Sequence, residues 1–176
     1  MQLQLRNEPH PKQHQAIATW AARLPGLPHD FRGRRAMLEV LDLNLANAID
    51  LKARSAQAGW QARTAGKKIL SLRYGEFSDD LDAIADEIAH RIASLGGRPC
   101  GLITDVLRSS RLPAYPTSAL WDEDHLMAME ESIDCATIHA AVALHIADEL
   151  KDASSSTILR RLHRRLATKR TTLSAE

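Results

Sequence analysis

The stretch ADEIAHRIASLGG at 85–97 sets a carboxylate, Asp86, four residues ahead of an imidazole, His90. On a helix that spacing brings both side chains onto one face, the geometry of a metal half-site with one oxygen and one nitrogen donor. Asp79 and Asp82 extend the same line toward the N-terminal end. Asp82, Asp86 and His90 are therefore the candidate metal contacts, suited to a hard or borderline cation. A solvated helix face has the same composition, and both readings stay open.

A second feature is the basic run LRRLHRRLATKR at 159–170, with Arg160, Arg161, Arg164, Arg165, Lys169 and Arg170 and no acid. It is a candidate nucleic-acid surface, since clustered cations attract phosphate even on a nearly neutral molecule. The alternative is a helix face whose arginine stems cover apolar neighbours and whose charges pair with acids of the preceding helix. Cys135 and His139 are also four residues apart, but lone cysteines and histidines among Ala and Ile usually serve packing. Glu87-x-x-His90 mimics half of a Glu-x-x-His metal pair, yet the second half is missing, because Arg160 stands three residues before His163. No nucleophilic triad stands out. Gly96–Gly97 ends a helical pattern where a phosphate-binding loop would begin one.

The elements that position these residues are helical. The chain has 176 residues, fitting one domain, and aromatic residues make up only 4% against abundant Ala and Leu. Lys and Arg number 23 against 22 acids, so the molecule as a whole has no strong field. The two cysteines, Cys100 and Cys135, form no CxxC, which speaks against a disulfide framework. No apolar run approaches membrane-spanning length, and the expectation is a cytoplasmic protein.

Pro9, Pro11, Pro25 and Pro28 punctuate the beginning, so residues 1–33 read as a tail with room for a short helix in QHQAIATWAARL. Residues 34–176 read as the folded domain. Leu38, Leu41, Leu45 and Ile49 mark a first long helix from Arg34 to about Arg63, closed by Thr64-Ala65-Gly66. Leu70, Tyr74, Phe77, Leu81, Ile84, Ile88 and Ile92 mark a second, to Leu95. Pro99, Pro113 and Pro116 bracket a connection in which GLITDVL can form a turn or two. A third long helix spans Asp122 to Lys151 on a stripe from Leu126 through Ala147 to Leu150. A fourth runs from Thr157 to about Leu173. The predicted fold is all-α, a four-helix bundle of ferritin-like connectivity with a long crossover between helices 2 and 3 that carries a short helix.

Three local patterns then resemble the Dps family of mini-ferritins. AIDLKARSAQAGW at 48–60 is similar to that family's first-helix ending, where a Trp follows a ligand His. DEIAHRIASLGGRP at 86–99 is similar to its second-helix end, and LPAYP with WDEDHL (112–116, 121–126) to the approach to its third long helix. The resemblance covers roughly residues 36–173. It implies a homo-oligomeric shell, a dodecamer, that takes in iron, oxidises Fe(II) between subunits, stores the ferric product and binds DNA non-specifically.

Carried over residue by residue, the implied iron ligands fall on Gly59, Ser71, Gly75, Asp86 and His90, and only Asp86 keeps the family's residue. The resemblance therefore implies iron sequestration and protection of DNA under stress, with a degenerate ferroxidase site. The second reading is a catalytically silent structural or DNA-compacting shell protein, or the partner of an active paralogue.

Overall fold

The computed structural model describes residues 29–116 and 122–173. Five helices appear in order: α1 (His29–Thr64), α2 (Lys68–Ser94), α3 (Ile103–Ser109), α4 (Asp122–Glu149) and α5 (Ala153–Leu173), with no strand among the described residues. The two long pairs α1–α2 and α4–α5 are each packed together; α1 also packs on α4, α2 on α5, and α3 on α1. This is the expected all-α four-helix bundle, with the crossover and its short helix between the second and third long helices. The short N-terminal helix expected in residues 13–24 lies outside the described residues.

The apolar stripes close into one core. Leu41, Leu51, Tyr74, Phe77, Ile88, Ile92, Met129, Ile133, Leu159 and Leu166 are all fully buried. On α4 the inward positions are Ala136, Ala140, Ala143 and Ala147, small enough for α4 to lie close to its neighbours. Leu150, expected to end that stripe, is instead 40% exposed, because the helix has already given way to the turn into α5. No described helix is long and apolar enough to cross a membrane.

Each helix end has a chemical cause. After α1 the N–H of Gly66 donates to the Arg63 carbonyl (3.1 Å) and that of Lys67 to Ala62 (2.8 Å). This closure needs the positive φ of +79° that glycine adopts without strain. Gly96 repeats the device after α2 at φ +74°. Two boundaries differ from expectation. α1 begins at His29 rather than near Arg34. α5 begins at Ala153 rather than Thr157, because Asp152 caps it: its carboxylate accepts the Ser155 N–H (3.1 Å) and the Ser155 hydroxyl (2.6 Å). The serines that read as a polar break are the first turn of the helix.

Candidate functional site

Asp79, Asp82, Asp86 and His90 all lie on the exposed face of α2, opposite Ile84 and Ile88. Asp82 is held by an ion pair with Lys52 of α1. Among the described residues no group of three or more His, Cys, Asp or Glu side chains converges as a metal site. The chain thus offers Asp86 and His90 as an open pair, with Asp82 engaged by a lysine.

The other positions that the resemblance implies as ligands sit differently. Gly59 is buried where α1 meets α2, and a Cβ there would lie 3.2 Å from the Tyr74 Cβ and 3.6 Å from the Ser71 carbonyl oxygen. Beside it the Ser55 hydroxyl donates to the Tyr74 carbonyl across the same interface (2.8 Å). Gly59 therefore serves close helix packing. Ser71 is buried in that contact, whereas Gly75 is exposed, with nothing within 4 Å of a Cβ.

The basic run on α5 is largely matched by acids of the same chain. Arg161 pairs with Glu87, and Arg165 with Asp80 (2.7 Å), both on α2. Arg160 reaches Asp148 (3.5 Å), and Arg170 reaches both Glu130 (2.9 Å) and Asp134 (3.0 Å), all on α4. Lys169 lies over the Phe77 ring, 5.6 Å from its centroid. Arg164 is exposed and makes no hydrogen bond or ion pair among the described residues. These are the salt bridges that the alternative reading of the run anticipates, reaching to α2 as well as α4.

A polar cluster that the sequence reading passed over centres on Arg54 of α1. Its guanidinium makes a two-pronged pair with Asp50 (2.8 and 2.9 Å). It also donates to the Pro113 carbonyl (2.7 Å) and to the Ser132 hydroxyl (2.8 Å). The Tyr115 ring covers it at 5.5 Å, and the Tyr115 hydroxyl hydrogen-bonds Nδ1 of His125 (2.7 Å). Burial pushes the Tyr115 phenol up to about 12, outweighing the opposing pull of Arg54, so it is a neutral hydrogen-bonding group at physiological pH. Two turns before Arg54, Asn47 takes the Arg111 N–H (3.0 Å) on its carbonyl oxygen and contacts Nδ1 of His139 (3.0 Å) through its amide nitrogen. Cys135 donates to the Arg111 carbonyl (3.3 Å). Burial raises its thiol pKa against a smaller pull from Arg54, so Cys135 and His139 act here as fastening for the crossover. The signal available in sequence was Asp50-x3-Arg54, an oppositely charged pair at helical spacing.

No family model matches the sequence. The chain is similar to the DNA protection during starvation protein of Agrobacterium fabrum, 29% identical over 127 residues that cover 71% of this chain and 77% of the relative. Solved Dps structures superpose on it throughout the bundle. DpsC from Streptomyces coelicolor gives a TM-score of 0.77 at 19% identity, covering 86% of this chain and 87% of that one. The chain is thus similar in sequence to a Dps protein and shares the fold of the solved ones. A point mutant of Dps1 from Mycobacterium smegmatis matches with a TM-score of 0.76 at 18% identity, over 85% of this chain and 98% of that one. Dps from Vibrio cholerae, described as one of the ferritin-like diiron-carboxylate proteins, gives 0.74 at 19% identity, over 81% and 89%. The chain thus has the bundle of these proteins, with glycine at two of the positions where the resemblance implies iron ligands.

Proposed function

We propose that the chain is the protomer of a cytoplasmic Dps-type shell, a homo-oligomer of dodecameric form, that sequesters iron and shields DNA in stress without accelerating Fe(II) oxidation at the family's inter-subunit position. Iron is cargo in this reading. The observation that supports it is the donor set itself. Gly59 and Gly75 have no side chain to donate, Ser71 is a buried neutral hydroxyl, and any side chain at 59 would start 3.2 Å from the Tyr74 Cβ. Oxidising Fe(II) needs several oxygen and nitrogen donors converging with a position left open for the oxidant. Asp86 and His90, assisted by Asp82 where Lys52 releases it, are two or three donors on an open face. They suffice for weak attraction of a cation.

Shielding of DNA would rest on phosphate contacts. With Arg160, Arg161, Arg165 and Arg170 already paired, the α5 cations left for phosphate are Arg164 and the stem-mounted Lys169. Arg6, Lys12 and Arg23, in the segment outside the described residues, would carry the remainder. The salt dependence of binding should then be shallow, each phosphate contact adding about 0.9 to the logarithmic slope.

The test is Fe(II) oxidation followed by ferric absorbance, with oxygen and with peroxide, for the full-length wild type and for Asp86→Ala combined with His90→Ala. The expected result is a wild-type rate within about twofold of buffer. In parallel, Co(II) retention in equilibrium dialysis should fall in the double variant. A wild-type rate tenfold or more above buffer that the double substitution abolishes refutes the reading and restores an oxidising site at Asp86 and His90. The second reading, a silent structural shell or the partner of an active paralogue, draws on the same two glycines. It is preferred if the wild type also retains no Co(II).

A further inference from the structure

The contact that fastens the crossover to α4 also brings a sulfur and a nitrogen donor together. Cys135 and His139 stand one turn apart on α4, and both are partly open to solvent. Sγ of Cys135 lies 3.9 Å from Nδ1 of His139. The hydrogen bonds around the pair decide which tautomer the imidazole holds. The Asn47 carbonyl oxygen accepts the Arg111 N–H (3.0 Å) and the Ser110 hydroxyl (3.3 Å), and a main-chain N–H can only donate. The Asn47 amide nitrogen, itself only a donor, is therefore the atom 3.0 Å from Nδ1. Nδ1 must accept, so the ring proton sits on Nε2 and Nδ1 keeps the lone pair that a metal ion requires.

We infer that Cys135 and His139 form a binding site for one thiophilic cation of the Zn(II) or Cu(I) class, with the Arg111 carbonyl as a third donor. The distances support it. Zinc holds thiolate sulfur at about 2.3 Å and imidazole nitrogen at about 2.0–2.1 Å, so two such donors stand roughly 3.5 Å apart at a tetrahedral angle and roughly 4.3 Å apart in line. The observed 3.9 Å lies between those limits. The Arg111 carbonyl oxygen is already 3.3 Å from Sγ, where it accepts the thiol proton. Sulfur with imidazole selects soft and borderline ions over the harder ones suited to the Asp86 face. Burial disfavours the free thiolate more than the Arg54 charge favours it, so the thiol keeps its proton until a cation takes its place. That proton passes to solvent, and the ion takes the Nδ1 lone pair from the Asn47 N–H. Asp50 pairs with Arg54 and limits its repulsion of the ion. Neither the proposed shell nor its iron cargo enters this inference.

The experiment adds Co(II), a spectroscopic stand-in for zinc, to the reduced full-length protein and reads the near-ultraviolet thiolate-to-cobalt charge-transfer band. Competition with a chromophoric chelator then gives the Zn(II) affinity. The wild type should show the band. Cys135→Ser, whose hydroxyl can still donate to the Arg111 carbonyl, should lose it. His139→Gln should weaken Zn(II) binding by about tenfold or more, the loss that even an outer partner of a ligand produces. Cys100→Ser, and Asp86→Ala combined with His90→Ala, should keep the band, with circular dichroism confirming that every variant is helical. As a second measurement on the unaltered chain, Zn(II) should slow iodoacetamide alkylation of Cys135, read by peptide mass, and spare none of the exposed Cys100. A wild type without the band, a band that Cys135→Ser keeps or Cys100→Ser abolishes, or a Zn(II) affinity that His139→Gln leaves intact overturns the inference. So does alkylation of Cys135 at the same rate with and without Zn(II).

Discussion

Replacing Arg54 by leucine should be among the most destabilising single changes in this protein. The Arg54 side chain is 11% exposed and that of Asp50 23%, so removal of the guanidinium strands a mostly buried carboxylate. It also removes the donors to the Pro113 carbonyl and Ser132, and the cation beneath Tyr115. Breaking a buried pair by deleting one partner costs about 3–5 kcal/mol. In a chain of this size that corresponds to a fall in midpoint of roughly 6–20 °C. Adding Asp50→Leu removes the stranded charge and should recover at least half of the loss, since an apolar pair of similar shape is often near neutral. Urea unfolding followed by circular dichroism, at one fixed protein concentration so that assembly does not shift the comparison, measures both values. A single-variant loss under about 1 kcal/mol, or a double variant no more stable than the single one, would refute the view that this pair fastens the crossover.

The two glycines on the α1–α2 pair should respond with opposite signs in the same assay. Gly75→Ala fills open space inside a helix and should stabilise by about 0.5–1 kcal/mol. Gly59→Ala gains similar helix propensity but pushes against Tyr74, and should come out destabilising, by up to about 2 kcal/mol. At the α5 cap, burial would raise the Asp152 pKa, but hydrogen bonds from Arg91 and Ser155 and the Arg91 charge outweigh it, leaving it below its ordinary value of 3.8. A depressed carboxylate contributes stability that is fully present above the unfolded pKa and is lost as pH falls through the folded one. Asp152→Asn should therefore destabilise by about 1 kcal/mol at pH 7 and by clearly less near pH 3, read from midpoints at the two pH values.

What could be read from the chain follows the range of the interaction behind each feature. The stripe from Leu70 to Ile92 is repeated at helical spacing, and every one of its apolar positions is buried on α2. Gly66 and Gly96 stop their helices by local geometry and were equally legible. The start of α5 was misplaced because the Asp152–Ser156 stretch satisfies two descriptions, a polar linker and a capped first turn. Only the Asp152–Ser155 hydrogen bonds choose between them. The Arg54 cluster was missed for a different reason. Its partners Pro113 and Ser132 are 59 and 78 residues away, and nothing in the local pattern announces a carbonyl aimed at a helix.

The basic run on α5 carries the same reasoning to function. Six cations in eleven residues read locally as a surface for polyanions, because the acids that answer them are not local. Asp148 is 12 residues from Arg160, while Asp80 is 85 from Arg165. Each exposed pair contributes little to stability, about 0–1 kcal/mol. Collectively, though, they cancel most of the field that would draw phosphate to the helix. A charge run in sequence therefore reports a binding surface only after its partners across the bundle have been subtracted. On α5 that subtraction leaves Arg164 as the fully free cation among the described residues. Arg164→Ala should accordingly weaken DNA binding in a gel shift more than Arg165→Ala does, and equal losses would mean that the α2 pairing opens freely to phosphate.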